Sequence, residues 1–146
     1  MTQEDKELLL KDLSARLPYG VHCCIYNFDG TIRDEDDLVF YCAGANIVTL
    51  KGDAKRECFM YHQVKPYLRP MSSMTEEEKD DFYDNSETGD VDTRTDGLGL
   101  YFRGEFALFE DITYAIDWLN AHYFDYRHLI EKGLALEAPE GMYKTK

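Results

Sequence analysis

A short polar run at the end of an apolar stretch is the first place where this sequence could do chemistry. Residues 23–32 read CCIYNFDGTI, so Asn27 and Asp29 stand two positions apart, directly before Gly30 and Thr31. A carboxylate at such a turn can act as a nucleophile or as a general acid and base. The Asp-Gly pair is also a strong signal for the turn of a β-hairpin. The two interpretations predict different structures around the same residues.

The run NFDGT at residues 27–31 resembles the Asp-x-Asp-Gly-Thr signature of phosphohydrolases of the haloacid dehalogenase superfamily. The resemblance implies a nucleophile at position 27, which forms an aspartyl-phosphate, and a general acid and base at position 29. Asn27 removes the nucleophile, because a carboxamide cannot form that intermediate. That family also places its motif before a crossover helix, whereas residues 33–37 lead straight into another strand pattern. The sequence therefore favours a hairpin, with Asp29 and Gly30 in left-handed positions, over a diverged phosphohydrolase.

The strongest compositional feature is an excess of acidic residues. The 146-residue chain has 29 Asp and Glu against 16 Lys and Arg, a net charge of −13. Such a charge disfavours direct binding to nucleic acid or to an anionic membrane, and it favours a basic partner. Residues 76–96 alone hold ten acids and two bases, a net charge of −8. The candidate partner-binding residues are the first six acids of this segment: Glu76, Glu77, Glu78, Asp80, Asp81 and Asp84.

Hydrophobic periodicity predicts the elements that position these residues. Residues 4–17 have leucines at helical spacing, and Thr2 with Asp5 forms a capping box before them. Short connections favour an antiparallel meander over parallel strands, which need long crossovers. The predicted strands are residues 21–28, 38–43, 46–50 and 57–64. Pro66 and Pro70 argue against regular structure before Ser72.

The second half of the chain predicts two further groups of elements. Thr75 and Glu78 form a capping box for a short acidic helix through about Tyr83, followed by an exposed acidic loop at residues 84–97. A strand pair follows at residues 97–102 and 105–109. Two C-terminal helices are then predicted, with Asp111 and Asp125 as their N-caps and Gly133 at the end of the second.

These elements predict a single α+β domain over residues 1–146. It consists of an N-terminal helix, a small antiparallel β-meander and two C-terminal helices packed on the sheet. The start of the chain does not resemble a signal peptide, which predicts a cytoplasmic protein in a reducing compartment. We therefore interpret all the cysteines as reduced, small core residues: Cys23, Cys24, Cys42 and Cys58.

No motif predicts a cofactor, a metal ion or a catalytic site. The acidic loop fits no calcium-loop register, since the bidentate Glu at the twelfth position is missing. Cys58 and His62 have a spacing compatible with zinc, but no second pair completes a site. We therefore expect no cofactor, and the sequence leans away from an enzyme.

Three segments resemble a family of small hypothetical proteins from phages, prophages and mobile elements of gut bacteria. The matching residues are 8–21 (LLLKDLSARLPYGV), 64–78 (VKPYLRPMSSMTEEE) and 115–143 (AIDWLNAHYFDYRHLIEKGLALEAPEGMY). The resemblance implies expression inside an infected or lysogenic bacterium and no particular activity. It also implies that similar end segments frame a changeable centre.

The favoured function is non-catalytic binding. An acidic protein in a phage setting is suited to inhibit a host protein by occupying its basic, nucleic-acid-binding surface. The alternative is a small-ligand or nucleotide-signal binding protein that uses aromatic residues with Arg69, Arg103 and Arg127. A homo-oligomer remains compatible with either function.

Overall fold

The computed structural model describes residues 1–33, 38–86, 99–102 and 105–143. Helices combine with mainly antiparallel strands, so the architecture is α+β. Within the described residues the helices are α1 (Gln3–Ala15), α2 (Glu76–Ser86) and α3 (Phe109–Ala121). The strands are β1 (Cys23–Ile25), β2 (Val39–Ala43), β3 (Ile47–Lys51), β4 (Arg56–Met60), β5 (Val64–Leu68), β6 (Gly99–Phe102), β7 (Glu105–Leu108) and β8 (Leu136–Glu137).

Helix α1 begins at the predicted capping box. The Thr2 side chain accepts from the Asp5 amide and the Asp5 carboxylate accepts from the Thr2 amide, both at 3.0 Å. The helix ends at Ala15 because Pro18 follows in a short 3₁₀ turn, and Gly20 then adopts a left-handed conformation with φ 71°.

Two three-stranded sheets and a hairpin make up the strand layer of the described residues. Of the four strands predicted to form one meander, β2, β3 and β4 do so, with a bulge between Phe40 and Cys42, whereas β1 belongs to the other sheet. The second sheet has the order β1–β5–β8, and its β5–β8 pair is parallel. Strands β6 and β7 form the predicted antiparallel pair. Amide hydrogen bonds from Cys23 to Leu38 and from Phe40 to Val21 connect the two sheets.

The prediction that Pro66 and Pro70 exclude regular structure before Ser72 is wrong at Pro66. This residue lies inside β5, opposite Cys23 of β1. Along an antiparallel ladder, residue pairs that exchange hydrogen bonds alternate with pairs that do not. The Tyr67 amide donates to the His22 carbonyl, so the next pair, Pro66 with Cys23, is one that exchanges no hydrogen bonds. The missing N–H therefore leaves no gap in the β1–β5 ladder. The predicted strand at residues 57–64 is instead divided by a 3₁₀ turn at Tyr61–Gln63.

The second C-terminal helix is also not formed, so only one helix lies in this part of the chain. Residues 122–133 form successive turns, and His128 has a left-handed φ of 60°. The Asp125 carboxylate accepts from the amides of Leu129 and Ile130 at 2.8 and 2.9 Å, which caps a turn rather than a helix. Gly133 is left-handed as predicted, with φ 70°. Helix α3 begins at Phe109, before the predicted cap at Asp111.

A buried ion pair that the sequence analysis did not predict joins α1 to this turn segment. Asp12 and Arg16 are fully buried and form two hydrogen bonds of 2.8 and 2.9 Å. Arg16 also donates to the Phe124 carbonyl at 2.8 Å, and Arg127 approaches Asp12 at 3.6 Å. These contacts join α1 to the turn segment that follows α3. Around this pair the main core combines both sheets with Leu9 and Leu13 of α1.

Candidate functional site

Helix α2 carries the six predicted partner-binding acids, and the contacts at its N-terminus fix its position. Glu78 accepts two hydrogen bonds from the Arg69 guanidinium at 2.8 and 2.9 Å. The same carboxylate accepts from the Thr75 amide at 2.9 Å, while the Thr75 hydroxyl accepts from the Glu78 amide at 3.1 Å. This is the predicted capping box, and it is combined with an ion pair to the end of β5.

The environment of Glu78 favours its ionised form. Burial raises the pKa of Glu78, but the hydrogen bonds from Arg69 and Thr75 and the charge of Arg69 outweigh burial. The pKa of Glu78 therefore lies below its ordinary value of 4.5. The side chains of Glu78 and Arg69 are only 11% and 16% exposed, so this carboxylate is a structural group rather than a free contact.

The second inward contact of α2 is made with α3. The Trp118 indole N–H donates to the Asp81 carboxylate at 2.8 Å, and the Phe82 ring packs edge-on against Trp118 at 5.2 Å. Trp118 also stacks on His122 at 3.8 Å and belongs to a buried cluster with Phe124. Asp81 and Phe82 thus contact Trp118 of α3 and fix the orientation of α2 about its own axis, although Asp81 as a whole stays exposed.

Three of the remaining acids lie on the other side of α2. Glu76, Glu77 and Asp80 are exposed, and the side chain of Glu76 is 86% accessible while it pairs with Lys79 at 2.7 Å. We call Glu76, Glu77 and Asp80 the outward acids. Asp84 lies in α2, one turn beyond Asp80, so the predicted loop at residues 84–97 begins later than expected; residues 87–97 lie outside the described residues. The six predicted residues therefore do not form one surface.

The Asn27 motif forms a hairpin turn. Tyr26 pairs with Ile32, and the Asn27 amide donates to the Thr31 carbonyl at 2.8 Å. Asp29 accepts from the Thr31 amide and hydroxyl at 2.9 and 2.6 Å, and these hydrogen bonds lower the pKa of Asp29.

Of the two predicted left-handed positions, Gly30 has a positive φ, of 85°, and Asp29 does not. The Asp29 carboxylate is exposed and engaged with its own turn. This geometry supports a structural role for the motif and offers nothing to a phosphoryl group.

Two arginines of the small-ligand alternative have internal partners. Arg69 binds Glu78 and stacks over Phe124 at 4.2 Å, and Arg127 lies over the Tyr126 ring at 5.1 Å and beside Asp12. Arg103 lies outside the described residues. A groove of about 660 Å³ lies elsewhere, between the turn at 17–20 and β2. It contains none of these arginines.

The interpretation of the cysteines as core residues is correct for two of the four. Cys23 and Cys24 are buried in β1, and burial raises the pKa of the Cys23 thiol. Cys42 and Cys58 are exposed, because they alternate with inward residues along β2 and β4. Within the described ranges no three His, Cys, Asp or Glu residues converge on a position that could hold a metal ion. In the same part of the chain, every helix is too short or too polar to cross a bilayer.

Comparison of the chain with protein-family models, with curated proteins and with solved structures gave no match. The resemblance to small phage and mobile-element proteins therefore stays a prediction.

Proposed function

We propose that this protein is a non-catalytic binding protein that uses the outward acids of α2 to contact a basic surface on another protein. The observation that carries the proposal is that the acids on the two sides of α2 have different surroundings. Glu78 and Asp81 hold the helix in place from one side, while Glu76, Glu77 and Asp80 present carboxylates on the other. A helix anchored in this way presents its charges in a fixed arrangement, which reduces the entropy lost on binding.

The charge of the whole chain supports the same proposal. A net charge of −13 attracts a basic partner over several ångströms and speeds its association. The outward acids would then set the orientation of the encounter. The competing explanation is that surface carboxylates serve solubility alone, and it predicts that their position on the surface does not matter.

The proposed partner is a host protein whose basic surface binds nucleic acid. This assignment follows from the sign of the charge and from the phage-like resemblance of residues 8–21, 64–78 and 115–143. It predicts that the partner cannot bind this protein and nucleic acid at the same time, since both require the same Lys and Arg side chains.

The test is an affinity capture from a bacterial lysate with two charge-matched variants. The outward variant carries Glu76→Gln, Glu77→Gln and Asp80→Asn. The control variant carries Glu131→Gln, Glu137→Gln and Glu140→Gln, which removes the same number of charges from exposed positions elsewhere. We expect wild type and the control variant to retain a nucleic-acid-binding protein at low salt, and the outward variant to lose it.

Competition completes the test. Added duplex DNA should release the captured protein, and salt should weaken capture because exposed charges are screened. If the two variants behave alike, the acids serve solubility and the proposed contact surface is wrong. If capture survives high salt and added DNA, the partner does not bind through a nucleic-acid-binding surface.

A further inference from the structure

A tyrosine hydroxyl takes the place of one hydrogen bond at the end of the β1–β5 ladder. In the register of these strands, His22 opposes Tyr67, one pair beyond Cys23 and Pro66. The Tyr67 amide donates to the His22 carbonyl at 2.9 Å, and such an antiparallel pair normally exchanges a second bond in return. Here the His22 amide donates to the Tyr143 hydroxyl at 3.0 Å, and that hydroxyl donates to the Tyr67 carbonyl at 2.8 Å. A phenol therefore joins the last two backbone groups of the ladder.

The ring of Tyr143 lies in a space that we call the phenol slot, bounded by Tyr123, His22 and Tyr67. The Tyr123 and Tyr143 rings are stacked, with centroids 3.6 Å apart and planes at 9°. Tyr123 has a left-handed φ of 63°, which is unfavourable for a residue with a side chain, and its hydroxyl donates to the Tyr19 carbonyl. The His22 ring lies 5.6 Å from the Tyr143 ring, and its Nδ1 is buried without a hydrogen-bond partner among the described residues. Buried polar atoms without partners are rare in folded proteins, and this one lies beside the slot.

Residues 139–143, which we call the strap, carry Tyr143 into the slot. Within the described part of the chain, residues 139–142 make no hydrogen bond to the rest of the protein; the Met142 amide donates to the Pro139 carbonyl inside the strap at 3.1 Å. Residues 139–141 are exposed, and Gly141 has a left-handed φ of 79°. Segments with few buried contacts open at a lower free energy than the whole protein. The strap can therefore leave the slot while β8 stays paired with β5.

We propose that the phenol slot is a binding site for small para-substituted phenols, which Tyr143 occupies within the same chain and vacates when the strap opens. The ligand ring stacks on Tyr123, and the ligand hydroxyl accepts from the His22 amide and donates to the Tyr67 carbonyl. This site is separate from the outward acids of α2 and does not depend on their proposed partner.

The hydroxyl is the group that gives the slot its selectivity. A ring without a hydroxyl leaves the His22 amide and the Tyr67 carbonyl buried and unpaired, and an unpaired buried polar group is costly. Burial raises the pKa of the Tyr143 phenol above its ordinary value of 10, so this hydroxyl stays protonated and keeps the hydrogen that it donates. The apparent affinity for a free phenol falls with the fraction of molecules whose strap is open. Tyr143 thus acts as a built-in competitor.

Amide hydrogen exchange in the wild-type protein, followed by NMR, tests whether the strap opens by itself. The His22 amide loses its acceptor when Tyr143 leaves, whereas the Tyr67 amide keeps the His22 carbonyl. We expect the protection factor of the His22 amide to be at least about tenfold lower than that of the Tyr67 amide. Equal protection of the two amides would mean that the slot opens only when β1 and β5 separate, and it would overturn the proposal.

Ligand titration of a Tyr143→Ala variant of the full chain tests the ligand class. The probes are p-cresol and toluene, which has the same ring and methyl group without the hydroxyl, and binding is followed by the NMR shifts of the His22 and Tyr67 amides. We expect p-cresol to bind Tyr143→Ala at least about tenfold more tightly than toluene. Wild type and the control Tyr114→Ala, changed at an exposed tyrosine of α3, should bind p-cresol more weakly, because Tyr143 still fills their slot. Equal affinity for the two probes, or equal affinity of all three proteins for p-cresol, would overturn the proposal.

The Tyr143→Phe variant keeps the ring in the slot and removes only the hydroxyl, so it provides a test even if Tyr143→Ala does not fold. We expect the His22 amide to exchange at least about fivefold faster in Tyr143→Phe than in wild type, and the Tyr67 amide to stay within about twofold. An unchanged rate for the His22 amide would show that the Tyr143 hydroxyl does not hold this backbone group, and the proposed ligand contact would be wrong.

Discussion

Removal of the Glu78 side chain tests whether α2 is held by its inward acids. In the Glu78→Ala variant, Arg69 loses both of its carboxylate hydrogen bonds and the capping box loses one of its two members. Hydrogen bonds to a charged group contribute about 1.5 to 3 kcal/mol, and an N-terminal cap contributes about 1 kcal/mol. The pair is mostly buried, so screening by solvent is limited. We expect the free energy of unfolding to fall by about 2 to 4 kcal/mol.

The assay is urea unfolding followed by tryptophan fluorescence. Trp118 is the only tryptophan and it contacts Asp81 and Phe82 of α2, so its emission reports on the docking of that helix. The matched control is Glu77→Ala, an exposed position one residue away, which should change the free energy of unfolding by less than about 0.5 kcal/mol. A Glu78→Ala protein as stable as Glu77→Ala would refute the inward assignment.

The stability that Glu78 contributes should depend on pH, and the pKa of Glu78 gives the direction of that dependence. The pKa of Glu78 is lower in the folded protein than its ordinary value of 4.5, so its stabilisation is complete above pH 4.5. That stabilisation is lost as the pH falls through the folded pKa. The difference in stability between wild type and Glu78→Ala should therefore be largest near neutral pH and should narrow in acid. A difference that stays constant down to acid unfolding would contradict the assignment.

Three further changes test other parts of the structure by urea unfolding. Asp12→Ala leaves the Arg16 charge buried without its partner and should lower the free energy of unfolding by about 3 to 5 kcal/mol. A decrease under about 1 kcal/mol would mean that the pair is solvated. Trp118→Phe removes the indole N–H that donates to Asp81 and should lower the free energy of unfolding by about 1 to 3 kcal/mol. Because this variant lacks tryptophan, its unfolding is followed by circular dichroism. Gly30→Ala places a side chain at φ 85° and should lower the free energy of unfolding by about 1 kcal/mol or more. An unchanged free energy of unfolding would mean that the left-handed residue of the hairpin turn is not Gly30.

The sequence predicted the helices and strands whose ends depend on hydrogen bonds between residues close together in the chain. The capping boxes at Thr2 and Thr75 mark the starts of α1 and α2, and alternation with short turns marks the meander β2–β3–β4. In each case the hydrogen bonds close within a few residues, so no distant partner is needed to recognise them. Helix boundaries were less accurate, since Asp84 and the next two residues continue α2 instead of starting a loop.

Elements that depend on distant partners could not be predicted in this way. The strand around Pro66 exists because β1 offers a register in which the proline opposes a position that exchanges no hydrogen bonds. The turns after α3 replace a helix because Asp125 caps them and the Phe124 carbonyl accepts from Arg16, 108 residues earlier. Such tertiary contacts override local helix propensity.

The orientation of the six acids on α2 was not predicted from the sequence. Treating all six acids as contacts ignored two signals in the sequence. Glu78 belongs to the capping box of Thr75, and Phe82 follows it by four residues, which marks that side of α2 as inward. The alternation of Cys58 with Phe59 along β4 likewise indicated that this thiol points away from the core. The buried pair Asp12 and Arg16 had the spacing of a helical ion pair, but its burial depends on residues 124–129.

The most direct test of the proposed function is the affinity of the captured partner for the two charge-matched variants. At low salt we predict that the outward variant binds at least about threefold more weakly than wild type, since three exposed charge contacts of about 0.2 to 1 kcal/mol each are removed. The control variant, changed at Glu131, Glu137 and Glu140, should bind within about twofold of wild type. Equal weakening of both variants would show that overall charge alone governs binding, and it would contradict the assignment of Glu76, Glu77 and Asp80 as the contact surface.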